Sequence, residues 1–242
     1  MNWNVELFNF WHIATLLFAL ILPIPLHFIM RNKTEKQKWL FMLLFASLNL
    51  VIFIYRTVMI SGEAWFNIWE ELPLHLCNFG LFANVIAVAF KIKALYCFSY
   101  CFGSIGAFIA MVIPAYHFLG HPIYQLTVFF FFLQHALLFA FGVLLHSLGF
   151  IKFGLKEAVK TTVMLFGFAF IAHGANLLIA ALGLGNPNYL FTVDASVNAL
   201  LNIFYGILPV PFLYLVLVLP IVLLVALGMS IPSLIRKRKK IK

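Results

Sequence analysis

Cys77, Arg56, His135 and His173 stand in stretches otherwise built from apolar side chains, and they are residue types that nucleophilic chemistry can use. A thiolate is the nucleophile, an imidazole takes the thiol proton, and a fixed cation at similar depth favours the anion. His75 and Asn78 flank the thiol, Gln134 precedes His135, and Asn176 follows His173 on the same helical face. In the string Glu70-Glu71-Leu72-Pro73-Leu74-His75-Leu76-Cys77-Asn78-Phe79-Gly80, Glu70 or Glu71 is suited to cap a helix and Pro73 to its first turn. On that helix His75 and Asn78 share a face while Cys77 points roughly 200° away from His75. The base must then come from another helix, and His135 and His173 are the two candidates.

Other chemistry is open to the same residue types. Paired histidines invite a haem reading, through His135 with His173, or through His12 to His27 against His135 to His146. The latter spacings imply separations of about 22 and 16 Å, which do not match well. Cys97 and Cys101 share a face and read as helix packing. No cysteine pair has metal-ligand spacing, so no metal, disulfide framework or other cofactor is expected. The alternative for each buried polar residue is an interhelical hydrogen bond with no chemistry attached. His27, His117, His121 and His146 read as interfacial anchors. The last apolar stretch has no lysine for a retinal Schiff base.

The elements that hold these groups follow from composition. The 242 residues are 64% hydrophobic and 10% charged, more apolar surface than a soluble domain of this length buries. Crossing a bilayer takes about 20 apolar residues. Hydropathy places all-α spans near 10–30, 39–60, 72–90, 94–114, 123–146, 161–183 and 205–230, so that residues 1–242 form a single seven-helix bundle. The first run has no preceding Lys or Arg and reads as a retained helix rather than a signal peptide. Rows of small residues, Gly103 with Ala107 and Gly106 with Ala110, suit helix contacts in the fourth span.

Lys and Arg cluster in 31–38, 91–93, 152–160 and the tail Arg236 to Lys242, whereas the alternate connections carry Glu6, Glu63, Glu70, Glu71 and Asp194 with no Lys or Arg. That partition predicts an outer N-terminus and a cytoplasmic C-terminus. The net charge of +9 is then read as contact with anionic lipid headgroups, not with nucleic acid. With this orientation, Arg56, His75, Cys77, Asn78, His135, His173 and Asn176 are expected to line a polar cavity in the outer half of the bundle. Ionisable groups at such depth cost about 2.5 to 3.5 kcal/mol each, which makes them candidates for function.

The string EELPLHLCN, Glu70 to Asn78, resembles the third-helix motif of bacterial YwaF-type integral membrane proteins, which are related to the animal TMEM164 family. Asn176 through Asn188-Tyr189-Leu190-Phe191 is similar to the family's Asn-Tyr motif, Gly206-Ile207-Leu208-Pro209 precedes the last span, and Gln134-His135 falls where the family has a histidine. The resemblance implies a multi-pass protein of a bacterial plasma membrane that acts on membrane lipids by acyl transfer or ester hydrolysis. It implies Cys77 as nucleophile and His135 as base, with Arg56, His75, Asn78, Gln134, His173, Asn176, Asn188 and Tyr189 binding substrate or supporting the site. A lipid-binding protein or transporter without covalent chemistry is the alternative reading.

Overall fold

The structure, a computed structural model, describes residues 3–63, 66–114, 118–195, 199–233 and 235. Ten α-helices order these residues: α1 Phe10–Ile21, α2 Pro23–Met30, α3 Glu35–Ile60, α4 Leu76–Ala89, α5 Lys93–Phe98, α6 Ser104–Val112, α7 Leu126–Ser147, α8 Leu155–Ala181, α9 Ala199–Ile207 and α10 Leu215–Gly228. Six helical stretches among the described residues are long and apolar enough to cross a membrane: Phe10–Met30, Glu35–Ile60, Lys93–Val112, Leu126–Ser147, Leu155–Ala181 and Leu215–Ser233. The shorter apolar helix α4 makes the seventh apolar segment. The all-α, multi-pass architecture expected from hydropathy is the one observed.

The chain divides into two compact units, one of Met1–Ala64 with Leu76–Lys152 and one of Trp65–His75 with Phe153–Lys242. In the first unit α7 is the central helix, packing against α1, α3, α4 and α6. Its close approach to the fourth apolar segment depends on Gly142. A Cβ there would lie 2.7 Å from the Ser99 carbonyl oxygen and 2.8 Å from Ser104 Cβ. Ser99 to Gly103 form a π-helical turn joining α5 to α6. Ser99 in this turn donates to Asn84 Oδ1 on α4, and Ser104, the first residue of α6, donates to the Tyr100 carbonyl. Of the small residues in this segment, Ala107 is buried in the core and Gly106 faces the Leu76 side chain.

The start of α3 shows how local sequence sets an element. Thr34 Oγ1 accepts the Gln37 N–H while Gln37 Oε1 accepts the Thr34 N–H, a reciprocal capping box. At the other end of the unit His12 is fully buried. It accepts the Phe8 N–H on Nδ1 at 2.8 Å, so Nε2 carries the proton and donates to the Met111 carbonyl at 2.7 Å.

Three sequence expectations are corrected. The third helix starts at Leu76, not near residue 72, so Pro73 precedes it and Glu70 and Glu71 do not cap it. The reason is tertiary: Glu70 Oε1 accepts the Asn186 N–H, and the Leu72 N–H goes to the Tyr189 hydroxyl. His75 therefore does not share a helical face with Asn78. The last segment, expected as one helix over 205–230, is broken between α9 and α10 by a turn containing Pro209 and Pro211. His146 is buried with its ring stacked on Tyr100 at 5.0 Å, rather than anchored at an interface. His117 and the tail Arg236 to Lys242 lie outside the described residues.

Candidate functional site

Three helices of the first unit supply one group of candidate residues. Helix α3 carries Asn49, Phe53 and Arg56, α4 carries Cys77 and Asn78, and α7 carries Gln134 and His135. Cys77 is half buried and packs against the apolar cluster of Phe53, Leu81, Ala107 and Leu138. Its thiol lies 3.7 Å from Asn78 Oδ1, the acceptor for the S–H. Among the described residues the resting thiol makes no hydrogen bond to a histidine.

His135 is buried, with its ring 4.3 Å from that of Phe131. Its Nδ1 lies 2.8 Å from the Phe131 carbonyl oxygen. A carbonyl only accepts, so Nδ1 bears the proton and the neutral ring keeps its lone pair on Nε2. Among the described residues Nε2 has no hydrogen-bond partner. Arg56 follows Phe53 by three residues on α3, and Phe53 belongs to the apolar cluster against which Cys77 packs. Arg56 Nε is itself buried without a hydrogen-bond partner, as is Asn49 Oδ1 two turns earlier on α3. Asn49 Nδ2 donates to the Gln134 carbonyl at 3.2 Å and so ties α3 to α7 one residue before His135. This part of the unit therefore offers a thiol, an imidazole with a free lone pair, an unsatisfied cation and an unsatisfied acceptor.

The second unit holds the remaining candidates, and there the polar groups answer one another. Asn176 clamps Tyr189, accepting its N–H at 3.0 Å and donating to its carbonyl at 3.1 Å and to Thr192 Oγ1 at 2.8 Å. Thr192 Oγ1 also lies 3.1 Å from His173 Nδ1, and the His173 ring packs on Phe212. Asn188 folds its own loop, donating to the Asp194 carbonyl and accepting the Val193 N–H. The Tyr189 hydroxyl donates to the Trp69 carbonyl and accepts the Leu72 N–H at 3.1 Å. Burial, with Glu71 and Glu70 nearby, pushes the Tyr189 hydroxyl up to about 12. The His75 ring packs edge-on against Tyr189 at 5.2 Å.

Arg56, Cys77, Asn78, Gln134 and His135 thus belong to the first unit, and His75, His173, Asn176, Asn188 and Tyr189 to the second. Sequence reasoning missed Asn49 and Thr192. Asn49 carried a signal, being an amide inside the long apolar α3. Thr192 carried none, because threonine is common in loops. Among the described residues no group of three or more His, Cys, Asp or Glu is placed to hold a metal ion.

Seven apolar segments, no strand among the described residues and polar groups held inside them define a multi-pass α-helical membrane protein. The family model of the TMEM164 family matches residues 7–229, and the chain belongs to that family. Comparison with curated proteins and with solved structures finds no match.

Proposed function

We propose that this chain is a membrane-embedded lipid acyltransferase or ester hydrolase in which Cys77 is the nucleophile and His135 the base. The observation that carries this reading is the tautomer of His135. With Nδ1–H spent on the Phe131 carbonyl, Nε2 is left as a proton acceptor in the unit that also holds Cys77. A neutral imidazole with a fixed tautomer is what a general base requires.

In this mechanism the Cys77 side chain turns from Asn78, gives its proton to His135 Nε2 and attacks an ester carbonyl. The S–C bond forms, the ester C–O bond breaks, and the leaving alkoxide takes the proton from His135. A second lipid hydroxyl or water then gives its proton to His135 and attacks the thioester, so that an O–C bond forms, the S–C bond breaks, and the departing Cys77 thiolate takes the proton back from His135. Arg56 favours the thiolate or holds a lipid phosphate, and Asn78 or Gln134 steadies the oxyanion. His75, His173, Asn176, Asn188 and Tyr189 support the fold of the second unit and whatever substrate contacts it makes.

The EELPLHLCN string supports placing the protein among bacterial YwaF-type members in the plasma membrane. The charge partition supports an outer N-terminus, a cytoplasmic C-terminus and anionic headgroups at the basic connections. A second reading, lipid binding or transport without covalent chemistry, is favoured by the thiol resting on Asn78 within an apolar cluster.

A thiol-directed acyl probe applied to the purified protein separates the two. Labelling lost in both Cys77→Ser and His135→Ala supports the enzyme, whereas bound lipid with no labelling supports the second reading.

A further inference from the structure

At the end of the first unit that carries the basic connections, Glu35, Lys36, Trp39 and Lys91 line one cavity. Its construction starts with how α4 stops. The Ile92 N–H reaches the Ala87 carbonyl at 2.9 Å and the Lys91 N–H the Val88 carbonyl at 3.4 Å, the paired bonds of a Schellman turn. That turn puts Lys91 in the left-handed region at φ +54°, where glycine is the favoured residue and a side chain costs free energy. The chain keeps a lysine at this position despite that cost.

The Lys91 ammonium lies 5.7 Å from the centre of the Trp39 ring. The indole is fixed in turn, donating from Nε1 to the Val88 carbonyl at 2.8 Å. Lys36 projects from the first turn of α3 into the same cavity. Glu35, the one carboxylate there, is occupied by Lys38 at 2.8 Å, so its charge is matched. Two ammonium groups without an ion-pair partner among the described residues are left around an immobilised indole. Exposed Leu40, Phe90 and Ile92 lie beside these residues in the chain.

We infer that this cavity is a binding site for the phosphate of an anionic phospholipid headgroup, held by Lys36 and Lys91 with Trp39 beneath the glycerol. Two point charges suit a phosphate, a tryptophan suits the headgroup level, and the neighbouring apolar side chains suit the acyl chains better than they suit free phosphate. The site rests on the proposed contact of the basic connections with anionic headgroups, and it is independent of the Cys77 chemistry.

The test uses the full-length protein in non-ionic detergent, with native mass spectrometry reading retention of phosphatidylglycerol against phosphatidylcholine. Wild type retains phosphatidylglycerol preferentially, and Lys36→Gln and Lys91→Gln each weaken it about fivefold. Lys91→Gly is the sharper variant, because it removes the amine and relieves the left-handed strain together. Its thermal midpoint is expected to stay level or rise while lipid retention falls about fivefold. Unchanged retention in Lys91→Gly, or an equal loss in Lys156→Gln on α8, overturns the site. Millimolar inorganic phosphate should leave the lipid bound, and its displacement by phosphate would overturn the lipid as the source of the anion.

Discussion

The two units treat their buried polar groups in opposite ways. In the second, Asn176, Thr192, Tyr189 and Asn188 hydrogen-bond one another and the backbone around them. In the first, Asn49 Oδ1, Arg56 Nε and other buried polar atoms have no partner, and each such side chain among the described residues falls in that unit. An unsatisfied buried polar atom costs about 1–3 kcal/mol, so Asn49 Oδ1 and Arg56 Nε, both on α3, are a cost to the first unit that the second unit does not carry among its described residues. A satisfied network makes the contrary case, since its members explain each other. The lesson is that polarity at membrane depth identifies candidates, and hydrogen-bond accounting sorts them into those that hold the fold and those left to act.

Activity separates the units most widely. His135→Ala should lower acyl transfer by roughly 10² to 10⁴-fold, the usual contribution of a general base, while His173→Ala should stay within about tenfold of wild type. Equal losses in a lipid acyl-release assay would erase the distinction. Next in size is Asn176→Leu, which strands the Tyr189 N–H and carbonyl and should cost about 3 kcal/mol in thermal or denaturant unfolding. Gly142→Ala, which drives a methyl into the Ser99 carbonyl and Ser104, should cost about 2 kcal/mol in the same measurement.

Smaller effects sharpen the contrast. Tyr189→Phe should cost about 1 kcal/mol and alter the alkaline limb of stability. Because the folded-state hydroxyl sits near 12, above its ordinary value, the stability it supplies is intact below about pH 10 and lost as pH rises towards 12. The phenylalanine variant should lose that part of the alkaline dependence in pH-dependent unfolding. Asn49→Leu removes one hydrogen bond together with one orphaned oxygen and should change stability by less than about 1 kcal/mol, against the larger loss for Asn176→Leu.

Six of the seven apolar segments were legible because bilayer thickness dictates their length, the third being shorter as the helix α4, and α3 even announces its start through Thr34 and Gln37. The beginning of α4 was not. Glu70 and Leu72 look like a helix start locally, but their partners, Asn186 and Tyr189, lie more than a hundred residues away. The break before α10 was written in Pro209 and Pro211, yet the surrounding apolar residues masked it. Cys77 and His135 stood out by residue type and by family likeness. That they share a unit with Arg56 while His75 and His173 fall in the other is a matter of tertiary contacts, which helical spacing cannot reveal. Thr192 was invisible because its importance comes only from the side chains that converge on it.

The central claim, that Cys77 acts through a covalent acyl intermediate, is tested most directly by intact-protein mass spectrometry after incubation with a phospholipid. The account predicts an increase of one acyl chain that maps to Cys77, is released by neutral hydroxylamine, and is absent from Cys77→Ser. An adduct that persists in Cys77→Ser, or lipid turnover at the wild-type rate in that variant, would contradict it.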